Sequence, residues 1–236
     1  MDIGFALNYQ YLMEVDTTPN GSERTWAWAG PGIRTLTKGG DETKSEDVYY
    51  SNGGNTEVGV TGVSRNYEVE GDYLVGDPFQ EYVRSIEDSA GPARKTRYRI
   101  TGPDGRCIEA PCTITDIVAG GPGGDANAKS GFKCTINRDS DPVEVEKAKG
   151  TKLPEQVTCS AAPQVTTSKP GKLAPQVTPS EASARCLFAA EDTSIATVAA
   201  DGTVTGVNEG KTRIAVKCAA KPSVSCVVEV NVTHGA

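Results

Sequence analysis

A glycine-rich segment, GGDANAKSG, has the residue types of a phosphate-binding loop but not the required pattern. Gly123, Lys129 and Ser130 match G-x-x-x-x-G-K-[ST], whereas Ala128 stands at the second glycine. Such a loop must also begin a helix whose N-terminus holds phosphate, and the following GFKCTINRD alternates like a strand. We therefore predict a surface loop here and no nucleotide cofactor.

The residues needed for nucleophilic or metal chemistry are equally sparse. His234 is the single histidine and lies near the end of the chain. A catalytic triad needs a base beside its nucleophile, and zinc prefers closely spaced thiolates, but no C-x-x-C occurs. We predict no enzyme activity, with no catalytic, cofactor-binding or metal-binding residues.

The seven cysteines are better explained as small apolar side chains. Cys134, Cys186 and Cys218 lie in strand-like runs, and Cys218 and Cys226 flank a short loop across which they could meet. The N-terminus MDIGFALNYQ lacks the basic and apolar pattern of a secretory signal. We therefore expect free thiols.

Charge divides the chain into two unlike parts. Residues 1–150 contain 24 acidic and 16 basic residues, a net charge of −8, whereas residues 151–236 contain 7 and 8, a net of +1. The basic and aromatic string RKTRYR could suggest RNA binding, but an acidic domain disfavours it. A length of 236 residues predicts two domains. We place them at 1–145 and 164–236, with a linker at 146–163.

Turn-rich composition, with 26 Gly and 14 Pro, favours many short strands. One helix is nevertheless predicted in GDPFQEYVRSIEDSAGP. Asp77 suits the N-cap, Pro78 the first helical position, and Gln80 the partner position of a capping box. The apolar face of this helix is expected to contain Phe79, Tyr82, Val83 and Ile86.

Residues 37–59, TKGGDETKSEDVYYSNGGNTEVG, contain few apolar side chains between pairs of glycines. Such a segment cannot bury enough surface to offset the entropy of ordering, so we predict a long mobile loop in the isolated subunit. A loop of this length inside a compact domain is usually functional. Its candidate assembly residues are Lys38, Asp41, Glu42, Lys44, Glu46, Asp47, Gly53 and Gly54.

The C-terminal part alternates in short runs such as SIATVA, TVTGV and TRIAVKC, which predicts a small β-sandwich. Tight turns are expected at Asp201–Gly202 and at Gly210, because glycine accepts positive φ without steric strain. The stretch SIATVAADGTVTGVNEGKTRIAVKC resembles bacterial immunoglobulin-like domains of group 2. This family occurs on bacterial surface proteins and on phage structural proteins.

The first part resembles the major tail protein of long-tailed phages, in TGVSRNYEVEGDYLVGDPFQEYVRSIED and in the later strands TITDIV and FKCTINRDSDPV. This likeness implies a mainly β fold, a sandwich or barrel with one flanking α-helix. It also implies self-association into stacked hexameric rings that conduct DNA without specific binding. The implied partners are the tape-measure protein and tail-completion proteins, and the implied location is the virion tail, assembled in the bacterial host cytoplasm.

The immunoglobulin-like part would then be displayed outside the tube, where it could contact carbohydrate or the host surface weakly. A bacterial cell-surface adhesin is the alternative, since adhesins use the same domains. An adhesin would need a signal peptide or an anchor. The sequence contains no apolar run of about 18 residues, so we expect no membrane partner.

Overall fold

The computed structural model describes residues 6–123, 125–145, 152–159 and 164–235. The fold is mainly β, as predicted, and one α-helix occurs in these ranges. Within them no helix is long and apolar enough to cross a membrane, and no three or more His, Cys, Asp and Glu residues are grouped to hold a metal ion.

The strands of the first part are short and almost all antiparallel neighbours in one sheet. They are β1 Leu12–Asp16, β2 Trp26–Trp28, β3 Ile33–Gly39, β4 Glu42–Val48, β5 Thr56–Val63, β6 Asn66–Asp72, β7 Lys95–Thr101, β8 Cys107–Ala119, β9 Gly131–Arg138 and β10 Val143–Val145; helix α1 is Pro78–Ser85. Single 3-10 turns occupy Asn8–Gln10, Tyr50–Asn52 and Gly91–Arg94.

The sheet order is β2-β1-β7-β8-β9-β6-β3, with β10 added on β8, while β4 and β5 pair only with each other. The segment TGPDG connects β7 and β8 in a hairpin, with Tyr98 and Ile100 on the face opposite to Arg97 and Arg99. The GGDANAKSG segment connects β8 to β9, and a strand follows it. In the described part of this segment no helix begins, so it offers no helix N-terminus to hold a phosphate.

One face of the sheet forms the first core because apolar residues recur at every second position. Tyr67 and Tyr98 pack with their ring centres 5.4 Å apart. Helix α1 covers this face, and Phe79 meets Phe132 edge-on at 5.6 Å. Phe79, Val83 and Ile86 are buried, and Tyr82 packs against the same cluster.

The start of α1 agrees with the sequence in one respect and differs in another. Asp77 caps the helix by accepting from the Gln80 backbone N–H at 2.9 Å. The predicted capping box at Gln80 is wrong, because the Gln80 side chain accepts from Leu74 N at 2.7 Å and donates to Pro31 O at 2.9 Å. The oxygen that a capping box would use therefore accepts from Leu74 N, six residues earlier in the chain, and Asp77 N donates to Leu74 O at 3.2 Å instead.

The second part, here called the Ig-like unit, consists of β11 Gln156–Cys159, β12 Val165–Thr166, β13 Gly171–Lys172, β14 Pro175–Thr178, β15 Cys186–Ala190, β16 Ala196–Val198, β17 Thr203–Gly206, β18 Gly210–Cys218 and β19 Ser225–Thr233. Two sheets, ordered β12-β19-β18-β15 and β13-β17-β16, enclose its core, and β11 pairs with β14. Strand β11 lies within the segment expected to be a linker.

Turn chemistry in the Ig-like unit follows the sequence closely. Asp201 and Gly202 connect β16 to β17, where Gly202 has φ +84° and Asp201 accepts from Thr203 N at 3.0 Å. Gly210, with φ +148°, begins β18. A β-carbon would be strained at both glycines.

Candidate assembly surface

Strands β4 and β5 and their connection form a two-stranded ribbon, residues 42–63, that continues the β3–β6 ladder beyond the sheet. Gly39 lies opposite Asn66 and Glu42 lies opposite Val63, so the register continues without a shift. Seven residues of β4 at about 3.3 Å each give a projection of roughly 23 Å. No residue of either strand is buried.

This ribbon corrects the expectation of a long mobile loop at residues 37–59. The segment lacks a core, as the sequence indicated, but it satisfies its backbone groups by pairing with itself. Thr and Val residues, which fit a pleated ladder well, alternate through β5. The expectation was wrong because charge content was treated as evidence against pairing.

The base of the ribbon is fixed by a close backbone crossing. Gly40 has φ +135°, and a β-carbon there would lie 2.2 Å from Ser64 O. Asp41 O accepts from Ser64 N at 2.9 Å, and Glu42 forms an ion pair with Arg65 at 3.2 Å. Only glycine fits this crossing, which defines where the ribbon leaves the sheet.

The tip of the ribbon presents aromatic side chains around a glycine turn. Gly53 and Gly54 have φ +61° and +78°, and a β-carbon at either would meet no atom within 4 Å. Val48 and Tyr49 are exposed, and Tyr50 is fully exposed. The glycines therefore allow the positive φ angles of the turn, while the two tyrosines expose aromatic surface that another molecule could contact.

The two faces of the ribbon differ. Val58 lies opposite Glu46 and Val60 opposite Lys44, so these four side chains share one face with Val48. We call it the valine face; Val58 and Val60 are each 56% exposed. The other face presents Ser45, Asp47, Glu57 and Gly59 and is polar. An exposed apolar face on an unsupported ribbon is suited to contact with another molecule.

A groove of about 760 Å³ lies at one end of the first sheet. Lys38 and Arg106 are at its charged margin. Its apolar lining comes from Tyr11, Leu36, Tyr67, Ile100, Ile108 and Pro142. Leu36, Tyr67 and Ile100 also contact the first core, so the groove is a part of the core face that α1 does not cover.

The opposite face of the sheet contacts the Ig-like unit through buried charge. Glu14 is 1% exposed, and both of its carboxylate oxygens accept from the Arg185 guanidinium. Lys217 donates to Tyr9 O and lies 5.5 Å from the centre of the Trp28 ring. Burial lowers the pKa of Lys217.

The arginines of RKTRYR are engaged within the chain. Glu109, which is buried, accepts from Arg97 at 2.6 Å and from Arg24 at 2.8 Å. Arg99 lies 3.6 Å from the centre of the Trp26 ring. The guanidinium groups on this side of β7 are therefore engaged by a carboxylate and an aromatic ring of the same chain.

The structure separates the predicted assembly residues into groups. Lys38 lines the groove, Asp41 and Glu42 lie at the base of the ribbon, and Gly53 and Gly54 lie at its tip. Lys44 and Glu46 lie on the valine face, and Asp47 lies on the other face.

The sequence reasoning missed the apolar members of this surface, Val48, Tyr49, Tyr50, Val58 and Val60. The alternation in TEVGV could have found two of them, Val58 and Val60. It also missed Glu14 and Arg185, which are far apart in the chain and carry no local pattern.

Comparison with protein families identifies part of the chain. Residues 155–228 match the family "Bacterial Ig-like domain (group 2)". The match includes the strand pairs β11–β14 and β15–β18, and it agrees with the sandwich described above. The second part of the chain is therefore Ig-like. No curated protein sequence matches the chain.

Several solved structures are similar over part of the chain. A chain from the tail of an empty gene transfer agent particle, refined with C6 symmetry, is 17% identical, with 59% of this chain and 98% of that chain covered and a TM-score of 0.47. A sheath/tube terminator of an extracellular contractile injection system is 13% identical, with 61% and 100% covered and a TM-score of 0.39. At these scores the likenesses do not establish a common role.

Proposed function

We propose that this chain is a structural subunit that polymerises through its first domain into the tube of a long, non-contractile phage tail. Copies form hexameric rings, the rings stack, and the resulting channel conducts DNA without binding it specifically. Tape-measure and tail-completion proteins are the other expected partners. The protein is assembled in the bacterial cytoplasm and ends in the virion.

The single observation that carries this proposal is the ribbon. Its pairing continues that of β3 and β6, with one register shift between Thr43 and Lys44. It has an exposed apolar face and an aromatic tip, yet no element of the described chain packs on it. Isolated two-stranded ribbons are only marginally stable in water. Contact with a neighbouring copy would bury the valine face and stabilise the projection.

A second feature favours lateral growth. Strand β3 is at the end of the sheet order, so one row of its backbone N–H and C=O groups has no partner strand among the described residues. An open edge of seven residues is a template for pairing with another chain. Copies arranged side by side in a ring would continue the sheet across this edge.

Charge and domain placement suit a conduit. The net charge of −8 in residues 1–150 would let a polyanion slide because the wall repels it. We propose a ring-forming domain at 1–145 and an Ig-like domain at 164–236, joined by 146–163, of which β11 pairs with the Ig-like unit. Because the Ig-like unit covers Glu14 on one sheet face, that part of the face is directed outward, where weak carbohydrate contact is feasible.

The test is polymerisation of the purified full chain, followed by sedimentation and negative-stain microscopy over a range of concentrations. The unmodified protein is expected to form rings or tubes. The double variant Val58→Glu with Val60→Glu places two charges on the valine face and should remain monomeric. Its circular dichroism and melting temperature should be unchanged, because neither valine belongs to a core of the subunit.

The matched control is Thr43→Glu with Ser45→Glu, which adds the same charge to the other face of the ribbon. We expect this control to polymerise. Equal loss of assembly in both variants would refute the assignment to the valine face. An unmodified chain that stays monomeric at every concentration would favour the surface-adhesin alternative instead.

A further inference from the structure

Four of the seven cysteines converge at one end of the core of the Ig-like unit. Cys186 and Cys218 are buried on the facing strands β15 and β18, and Cys159 and Cys226 are half-buried beside them. All four are thiols. This cluster takes no part in the proposed assembly surface, so its chemistry is a separate question.

The register places Cys186 directly opposite Cys218. The next pair along the ladder, Arg185 and Ala219, is joined by a hydrogen bond from Ala219 N to Arg185 O. Cys218 N instead donates to Val224 O, on the other side of β18. Cys186 and Cys218 therefore occupy a non-hydrogen-bonded position of the antiparallel ladder. At such positions the Cα atoms are about 4.5 Å apart, and disulfides span roughly 4.4–6.8 Å.

The two thiols are also unequal in acidity. Interaction between the two sulfur groups lowers the pKa of Cys186 and, together with burial, raises that of Cys218. The thiolate is the nucleophile in thiol–disulfide exchange. Cys186, which is 9% exposed while Cys218 has no exposed surface, is thus the thiol that a small oxidant would meet first.

We propose that Cys186 and Cys218 are an oxidation site, at which a small disulfide such as oxidised glutathione closes a cross-strand disulfide. The Cys186 thiolate attacks one sulfur of the oxidant and displaces one glutathione thiolate, giving a mixed disulfide. Cys218 then loses its proton and attacks the Cys186 sulfur, displacing the second. Two protein thiols are oxidised, and one oxidant disulfide is reduced to two thiols.

The disulfide would stabilise the Ig-like unit against unfolding after the protein leaves a reducing compartment. It would close a loop that contains β16 and β17, and a crosslink of this length restricts mainly the unfolded chain. The inference does not depend on the proposed assembly role, because it rests on the ladder of β15 and β18 alone.

The experiment uses the full chain, incubated with oxidised glutathione and, in parallel, with reduced glutathione. Titration of free thiols should show the loss of two of seven after oxidation. Peptide mass mapping under non-reducing conditions should recover Cys186 joined to Cys218. The melting temperature of the oxidised protein should rise by about 5 °C or more over the reduced form.

Two variants identify the pair. Cys218→Val should lose both the crosslink and the rise in melting temperature, while its fold is checked by circular dichroism before oxidation. Cys226→Ala, a matched change in the same cluster, should retain both. Seven thiols after oxidation, or a crosslink between Cys159 and Cys226 in place of the expected one, would overturn the proposal.

Discussion

At the scale of single residues, Asp77 caps helix α1 although its carboxylate is buried. Its carboxylate caps α1 at 2.9 Å from Gln80 N, yet the side chain is 7% exposed. Burial raises the pKa of Asp77 to about 6, and the backbone hydrogen bonds of the cap only partly oppose this shift. The folded state therefore holds a proton more tightly than the unfolded chain does.

This difference predicts a specific dependence of stability on pH. Between pH 4 and pH 6 the folded protein binds more protons at Asp77 than the unfolded chain, so the contribution of Asp77 to stability falls as the pH rises. Asp77→Asn keeps a capping oxygen but cannot ionise. At pH 7 the Asn variant should be more stable than the unmodified protein by on the order of 2 kcal/mol, and at pH 4 the two should be equal.

Urea unfolding at pH 4, 5, 6 and 7 measures this difference. Asp77→Ala is the control, since it removes the cap and should be about 1 kcal/mol less stable than the Asn variant at every pH. A stability advantage of the unmodified protein that grows toward pH 7 would show that the cap outweighs burial.

At the scale of elements, the sequence predicts those features that depend on residues close together in the chain, such as the start of a helix and the two faces of a strand. The cap and Pro78 define where α1 begins, and the alternation in RKTRYRI defines β7 and its two faces. The capping-box prediction failed because the Gln80 oxygen accepts from Leu74 N in the turn before the helix, while its nitrogen donates to Pro31 O, 49 residues away. The ribbon was missed because the charge content of residues 37–59 was treated as evidence against pairing, and the register that it continues is set outside that segment, between β3 and β6.

The side-chain hydrogen bonds of Gln80 predict how much this residue contributes to the stability of the helix entry. Its amide satisfies Leu74 N, Pro31 O and, at 3.3 Å, Asp72 O, all near the entry to α1. Gln80→Ala leaves these groups without their partner in a site that is fully buried. We expect the free energy of unfolding to fall by about 2–4 kcal/mol.

Denaturant unfolding gives this value, and Ser85→Ala at the exposed end of the same helix is the control. Its only side-chain contact is the local one to Tyr82 O, so its effect should stay within about 0.5 kcal/mol. Similar small effects at both positions would mean that water replaces the hydrogen bonds of the Gln80 amide without a loss of stability.

At the scale of the whole molecule, charge composition predicted two unlike parts but not how they contact each other. Glu14 and Arg185 are 171 residues apart in the chain, and neither belongs to a motif. The same is true of the groove and of the open edge of β3, which exist only after the sheet has formed. Contacts of this kind depend on tertiary packing, and no local pattern of residue types encodes them.

The Glu14–Arg185 pair predicts that one arginine controls the association of the two parts. Arg185→Ala would leave a carboxylate buried without its cation, which typically destabilises by about 3–5 kcal/mol. The protein can avoid this penalty by separating the Ig-like unit from the sheet so that water reaches Glu14. Either response should lower the urea midpoint or increase the radius of gyration measured by small-angle X-ray scattering.

Arg213 supplies the matched control, because its guanidinium pairs with Glu191 at 2.6 and 2.7 Å with both side chains exposed. Arg213→Ala should change stability by less than about 1 kcal/mol and leave the dimensions unchanged. Adding Glu14→Gln to Arg185→Ala removes the uncompensated charge and should restore part of the loss. If the two arginine variants behave alike, the buried pair does not hold the parts together, and other contacts between them, such as those of Lys217 with Tyr9 O and the Trp28 ring, are the next to test.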